Sequence, residues 1–133
     1  MKSVAIFLLS VLCAITTTSS YAQEHPASIS SGVPDYARYQ IVQSPLAAKL
    51  TIRLDRFMGD TWQLVKATNG SYAWRPMKRI DLPNDTRLPG AVNYQIFLSA
   101  IRAEMTVLMN TNTGASWYID VDRNGGEFWS PVK

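Results

Sequence analysis

The chain has 133 residues, a net charge of +3, a single histidine and a single cysteine. That length is enough for one domain with a real hydrophobic core. The mildly basic balance permits anionic partners, but no basic stripe with interleaved aromatic residues is present, which argues against nucleic acid as a partner.

The N-terminus predicts export from the cell. Met1-Lys2-Ser3 gives a short positive start, and an apolar run over 4–15 follows, interrupted only by Ser10. Ser-Tyr-Ala at 20–22 has small residues at its first and third positions, as a signal peptidase site requires. The apolar run, about twelve residues, is too short to cross a bilayer core as a helix. We expect a signal peptide over 1–22, a periplasmic or secreted bacterial location, and no stable membrane insertion after cleavage.

The segment after the signal peptide predicts a flexible tether over 23–36. It is rich in Ser, Pro and Gly and holds His25, the only histidine. The only cysteine, Cys13, is removed with the signal peptide, so we expect burial and sheet hydrogen bonds alone to hold the domain over 37–133.

The domain repeats itself at an offset of 55 residues. Comparison of 39–78 with 94–133 gives 13 identities in 40 positions without a gap. We interpret the two segments as copies of one supersecondary unit, joined by a linker over 79–93. The identical pairs are Tyr39/Tyr94, Gln40/Gln95, Ile41/Ile96, Ser44/Ser99, Ala48/Ala103, Thr51/Thr106, Gly59/Gly114, Trp62/Trp117, Asn69/Asn124, Gly70/Gly125, Trp74/Trp129, Pro76/Pro131 and Lys78/Lys133.

Each copy predicts four β-strands in a meander. Leu50, Ile52 and Leu54 alternate with polar residues, and a period of two is typical of a half-buried strand. We expect Trp62 and Trp117 to pack against the apolar residues at 50, 52 and 54 and at 105, 107 and 109 in their respective copies. The predicted strands are 37–43, 49–55, 60–66, 71–78, 93–98, 104–110, 115–121 and 126–132.

Glycines mark the predicted turns. Gly59 and Gly114 end segments that begin with Asp or Asn, a pattern typical of hairpins in which the glycine takes a positive φ. Asn69-Gly70 and Asn124-Gly125 predict a second, tighter hairpin in each copy, with left-handed angles at both residues.

These strands predict an all-β fold, either a compact barrel or a sandwich, with pseudo-twofold symmetry. Four-stranded meanders of this length also resemble propeller blades. Two blades cannot close a ring alone, although three such chains would supply six blades, as in some two-repeat lectins.

One motif resembles that of small exported bacterial domains of uncharacterised function. These carry a Tyr-Gln-Ile-like strand, then a strand ending in Asp-Thr-x-Thr-Gly, and then a Trp. The second copy matches with Asn110-Thr111-Asn112-Thr113-Gly114 followed by Trp117, while the first copy keeps Asp55, Gly59 and Trp62. The resemblance implies exported β-structure and no particular chemistry.

No catalytic or metal-binding constellation is present in the sequence. His25 lies in the tether, so a nucleophile has no positioned base. The segment 120–125 begins like a calcium loop, but Pro131 stands where the twelfth-position acid is required. We therefore expect a protein that is not an enzyme and uses no metal or cofactor.

The two copies differ in charge. The first has six basic and two acidic residues, a net of +4, and the second has three basic and four acidic residues, a net of −1. This difference predicts either drift on solvated faces, or contact of the first copy with an anionic surface, or head-to-tail association of chains. The candidate partner surface consists of Arg53, Arg56 and Arg75 of the basic first copy together with Trp74 and Trp129. The two tryptophans are included because they lie near prolines at strand ends.

The sequence thus predicts an exported, non-enzymatic protein-interaction domain, such as an inhibitor, an immunity-type protein or an assembly accessory. Its partner is expected to be a protein or an anionic surface in the cell envelope, and homo-oligomers are possible. The alternative is a carbohydrate-binding module that uses the repeated tryptophans as stacking platforms, although core anchoring is the simpler role for residues repeated at equivalent positions.

Overall fold

A computed structural model describes residues 32–47 and 50–133. The predicted signal peptide and most of the predicted tether lie outside these residues. Within the described ranges, no helix has the length and apolar character needed to cross a membrane.

The described residues form two antiparallel four-stranded meanders, with strand orders β1-β2-β3-β4 and β5-β6-β7-β8. This confirms the all-β fold built from two tandem repeats, and every strand lies within its predicted span. A short 3₁₀ turn, Ala103–Met105, precedes β6. The strands are β1 Tyr39–Gln43, β2 Thr51–Asp55, β3 Thr61–Lys66, β4 Tyr72–Met77, β5 Tyr94–Phe97, β6 Val107–Asn110, β7 Ser116–Val121 and β8 Glu127–Pro131.

The hairpin between the second and third strands is the same in both repeats. Asp55 Oδ1 accepts hydrogen bonds from the N–H groups two and three residues ahead, and Asn110 Oδ1 does the same. Gly59 and Gly114 end these turns with φ of 75° and 76°, which confirms the predicted positive φ. An L-residue with a Cβ is strained at such angles, so glycine is required there.

The Asn-Gly hairpins differ from the expected geometry. Gly70 and Gly125 have positive φ, but no other residue type does in the described ranges, so the expectation of left-handed asparagines is wrong. The Gly70 N–H donates to Ala67 O, which gives a type I turn followed by a left-handed glycine. The asparagine acts through its side chain instead, because Asn69 Oδ1 accepts hydrogen bonds from the Ser71 N–H and hydroxyl.

Each sheet has two different faces, which we name by their residues. Directly opposed residues of an antiparallel pair share a face. The front face of the first repeat carries Arg53 opposite Trp62, and that of the second carries Leu108 opposite Trp117. The other side of each sheet is its back face. The back face of the first repeat carries Ile52 opposite Gln63, and that of the second carries Val107 opposite Tyr118.

The core lies between the back face of the first repeat and the front face of the second. The buried residues form one cluster that draws on both sheets. From the first repeat they include Val42, Ile52, Leu54, Thr61, Gln63 and Met77. From the second they include Tyr94, Ile96, Leu108, Trp117, Ile119 and Trp129.

The two sheets are therefore separate layers stacked front to back. Within the described residues no strand of one sheet pairs with a strand of the other, and the isolated parallel bridge of Arg79 to Trp129 joins the linker to β8; the arrangement is therefore layered and not a closed barrel. The repeats are related head to tail, because the back face of one packs against the front face of the other. The front face of the first repeat and the back face of the second are left open.

This stacking overturns the expected environments of two tryptophans. Trp62 pairs with Arg53 and Trp117 with Leu108, so neither lies on the face of the alternating residues at 52 and 54 or at 107 and 109. Trp117 is fully buried, whereas Trp62 is half-buried. The hairpin between the strands sets the register, and a shift of one residue moves a side chain to the other face.

The linker contributes a buried polar cluster that ties the repeats together. Asp85 Oδ1 accepts hydrogen bonds from the Tyr94 hydroxyl at 2.7 Å and from Asn110 Nδ2 at 2.9 Å. The Arg79 guanidinium forms an ion pair with Asp85 and lies 4.9 Å from the Tyr94 ring and 4.8 Å from the Trp117 ring. Burial, reinforced by the Asp85 hydrogen bond, raises the pKa of Tyr94 to about 12.

Candidate interaction surface

The open front face of the first repeat carries an arginine between two tryptophans. The guanidinium carbon of Arg53 lies 4.4 Å from the Trp62 ring centroid and 5.1 Å from that of Trp74. Both tryptophans are half-buried, and Tyr39 and Ile41 beside them on β1 are about half exposed. We call these five residues the arginine–tryptophan surface.

Strand register brings these side chains together. Ile41, Arg53 and Trp62 are opposed across β1, β2 and β3, so they form one row on the front face. Trp74 lies on β4 opposite Leu64, one step along the same face. Side chains of this length reach diagonally across neighbouring strands, so both indoles contact the same guanidinium.

The charge of Arg53 is only partly compensated. Its Nε is buried, and no hydrogen-bond partner for it is found among the described residues. The indole faces stabilise the cation through their π-electrons, by about 0.5–2 kcal/mol per contact depending on solvent exposure. A planar guanidinium donates hydrogen bonds in a fixed geometry that suits a carboxylate or a carbonyl oxygen.

The same positions in the second repeat are core. Leu108, Trp117 and Trp129 are equivalent to Arg53, Trp62 and Trp74, and all three are fully buried. The first repeat thus presents to solvent a face whose counterpart is covered in the second.

The remaining predicted surface residues lie elsewhere. Arg56 Nη1 donates to the Pro34 and Ala37 carbonyls, which fixes the segment before β1. Arg75 lies on the back face, where it contacts Gln63 and forms a 2.8 Å ion pair with Glu127 across the two repeats. Trp129 is fully buried and belongs to the core.

Of the five candidates, only Arg53 and Trp74 are therefore brought together. Trp62, Tyr39 and Ile41 were missed as surface residues. The sequence does hold a signal for them, since a charged residue, Arg53, stands where the other copy has the apolar Leu108. A charge at a core-equivalent position indicates that this face of the first copy is not covered by the other repeat of the same chain.

A second open surface is the back face of the second repeat. Phe97 and Tyr118 are about two-fifths exposed there, Val107 lies between them on β6, and Met109 is one step along the same face. We call these four residues the back surface. These four side chains form an apolar area on a face that also carries the polar residues Gln95, Ser116 and Ser130.

The acidic turn of the second repeat has a structural role. Asp122 Oδ1 accepts hydrogen bonds from the Asn124 N–H at 2.8 Å and the Gly126 N–H at 2.9 Å. These backbone donors hold the pKa of Asp122 below its ordinary value. Among the described residues, no group of three or more His, Cys, Asp or Glu side chains is placed to hold a metal ion.

Comparison of the chain with models of known protein families, with curated proteins and with solved structures finds no match.

Proposed function

We propose that the protein is an exported, non-enzymatic interaction domain that binds a protein partner through the arginine–tryptophan surface. The observation that carries this proposal is Arg53, held between Trp62 and Trp74 with its Nε buried and without a hydrogen-bond partner in the described part of the chain.

The composition of the surface favours a protein partner. Trp, Tyr and Arg are the residues most enriched among those that dominate binding energy at protein interfaces. The indoles of Trp62 and Trp74 supply rigid apolar area, and the indoles already hold the Arg53 side chain in place, so binding immobilises few further rotors. A partner that covers the surface would exclude water from the guanidinium, and a carboxylate or carbonyl group of that partner would compensate its charge.

Charge reversal at the centre of the surface tests the proposal. The wild-type protein and the variants Arg53→Glu and Trp74→Ala are each immobilised and exposed to a periplasmic extract. The proteins that each one captures are compared by mass spectrometry. Arg123→Glu, a charge reversal in an exposed turn of the second repeat, is the control. We expect the wild type and the control to capture the same partner and both surface variants to lose it. Equal capture by all four baits would contradict the proposal.

Carbohydrate binding is the second candidate, supported by the partial exposure of Trp62 and Trp74, whose counterparts are buried. The two candidates predict opposite effects of Arg53→Ala. A sugar that stacks on the indoles needs the ring faces that Arg53 covers, so its binding on a glycan array would be kept or increased. Binding of a protein partner would be weakened by the same change.

A further inference from the structure

We propose that the partner is a second copy of this chain. The arginine–tryptophan surface of one copy docks on the back surface of the next, and the contacts continue around a closed ring of two to four chains. This inference rests on the proposed function, because it names the occupant of the same surface.

The template is the interface inside the chain. There the front face of the second repeat packs on the back face of the first, and the two repeats share one fold and register. The open front face of the first repeat and the open back face of the second are the two halves of this same interface, left unpaired at the ends of the stack. Docking one on the other repeats an arrangement that the sequence already forms.

The residues of the open front face match their buried counterparts. Tyr39, Ile41, Trp62 and Trp74 are identical to Tyr94, Ile96, Trp117 and Trp129, each 55 residues later. Within the first repeat both tryptophans contact Arg53, and their counterparts in the second repeat are fully buried in the internal interface.

The residues of the open back face match as well. Val107 and Met109 are equivalent to the buried Ile52 and Leu54 and keep their apolar character. Ser116 is equivalent to Thr61, whose hydroxyl accepts a 2.7 Å hydrogen bond from the Trp129 indole. The equivalent contact between copies is a hydrogen bond from Trp74 Nε1 to the hydroxyl of Ser116 in the next copy.

Electrostatics favour the same pairing. The docking brings the first repeat, with a net charge of +4, against the second repeat of another copy, with a net charge of −1. These opposite net charges belong to the repeats as wholes; they increase the association rate and disfavour the approach of two first repeats.

The stacking geometry leads to a ring. A contact between unlike faces either closes on itself or extends without limit. Sheets of four strands arranged radially close with four to eight members in known propellers. Each chain supplies two sheets, so closure takes about two to four chains, by the same principle.

Mass in solution is the first test. Light scattering and native mass spectrometry of the purified protein should give one discrete species of two to four chains. A monomer at about 100 µM, some hundredfold above a typical micromolar dissociation constant, would overturn the proposal. A mass that grows without limit as concentration rises would overturn the closed ring.

Mixing two blocked variants tests the polarity. Arg53→Glu blocks the front face and leaves the back surface intact, while Tyr118→Glu does the reverse. Each variant alone should be monomeric, and an equimolar mixture should give a species of twice the mass, because one intact face of each kind remains. A mixture that stays monomeric would overturn the proposal.

Two further measurements keep the outcome interpretable. Arg53→Leu installs the residue that the second repeat uses at this position, Leu108, and should keep the assembled mass. Circular dichroism and melting of every variant establish that it is folded. A monomeric wild type would refute self-stacking. If, in the capture experiment, Tyr118→Glu still binds a foreign protein that Arg53→Glu has lost, the proposed function stands.

Discussion

The Trp129 indole N–H donates a 2.7 Å hydrogen bond to the hydroxyl of Thr61, 68 residues earlier in the chain, and both groups are buried. The bond crosses from the front face of the second repeat to the back face of the first. It is a buried polar contact between the two sheets, so it fixes how they are aligned as well as stabilising them.

Thr61→Val should destabilise the protein by about 1–3 kcal/mol, because the buried indole N–H loses its acceptor while side-chain volume is kept. Thr61→Ser retains the hydroxyl and is the residue found at the equivalent Ser116, so it is the matched control. Urea unfolding followed by tryptophan fluorescence measures both. Similar unfolding free energies for the two variants would show that the hydrogen bond contributes little.

Trp117→Ala should cost about 3–5 kcal/mol, as for other large aromatic residues removed from a core. Trp62→Ala, at the equivalent half-buried position, should cost less than half as much when measured in dilute protein. The two residues share register and differ mainly in burial, so the comparison tests what covering the second-repeat face contributes. Equal losses would contradict the front-to-back stacking.

Gly59→Ala and Gly114→Ala separate two costs that glycine avoids. Both residues have φ near 75°, so both variants should lose about 1 kcal/mol from backbone strain. A Cβ at Gly59 would in addition collide with Arg79 and with the Tyr94 ring, whose nearest carbon would be 2.7 Å away, whereas Gly114 has open space. Thermal melting should therefore show a clearly larger loss for Gly59→Ala, and equal losses would mean that Arg79 moves aside freely.

Acid should destabilise the first repeat through Asp55. Burial alone would raise the pKa of Asp55, but hydrogen bonds from Arg38 and from the Phe57 and Met58 N–H groups outweigh it and hold the pKa below its ordinary value. A carboxyl group whose pKa is lowered by folding stabilises the folded state. The full contribution is present when the pH is above the unfolded-state pKa of about 4, and it is lost as the pH falls through the lowered pKa of the folded state.

Asp55→Asn tests this assignment, because the second repeat has Asn110 in the equivalent turn. The variant keeps the side-chain oxygen that caps the turn and removes the titrating group. Its melting temperature should therefore fall less than that of the wild type between pH 7 and about pH 2. The control is Asp60→Asn, which removes an exposed carboxylate from the same turn. If the melting temperature of Asp55→Asn falls with pH as much as that of the wild type, the assignment is refuted.

The strands and the repeat were predictable because both rest on local pattern. Alternation over Leu50, Ile52 and Leu54 marks a strand without knowledge of its neighbours, and Gly59 and Gly114 mark turns that need positive φ. The offset of 55 needed only comparison of the chain with itself. These signals do not depend on how the sheets pack.

The choice of buried face was not predictable from the same pattern. In the second repeat Met105, Val107 and Met109 alternate as expected, yet Thr106, Leu108 and Asn110 are the buried residues. Leu108 turns this strand into a continuous apolar run, and such runs occur where both faces are covered, so they do not indicate which face packs first. Burial of the Asn110 amide group also depends on the linker, because Asn110 Nδ2 donates a hydrogen bond to Asp85, 25 residues away.

Front-to-back stacking also determines what gene duplication can achieve. When two copies of a unit pack with equivalent faces together, the apolar face of each copy is buried and none remains exposed in the duplicated protein. Here each added unit covers one face and contributes another, so the solvent-facing apolar area of the two end surfaces is the same for two units or three, until the stack is long enough to close on itself. Lengthening the gene therefore increases the stability of the interior and leaves the aggregation hazard of the ends unchanged.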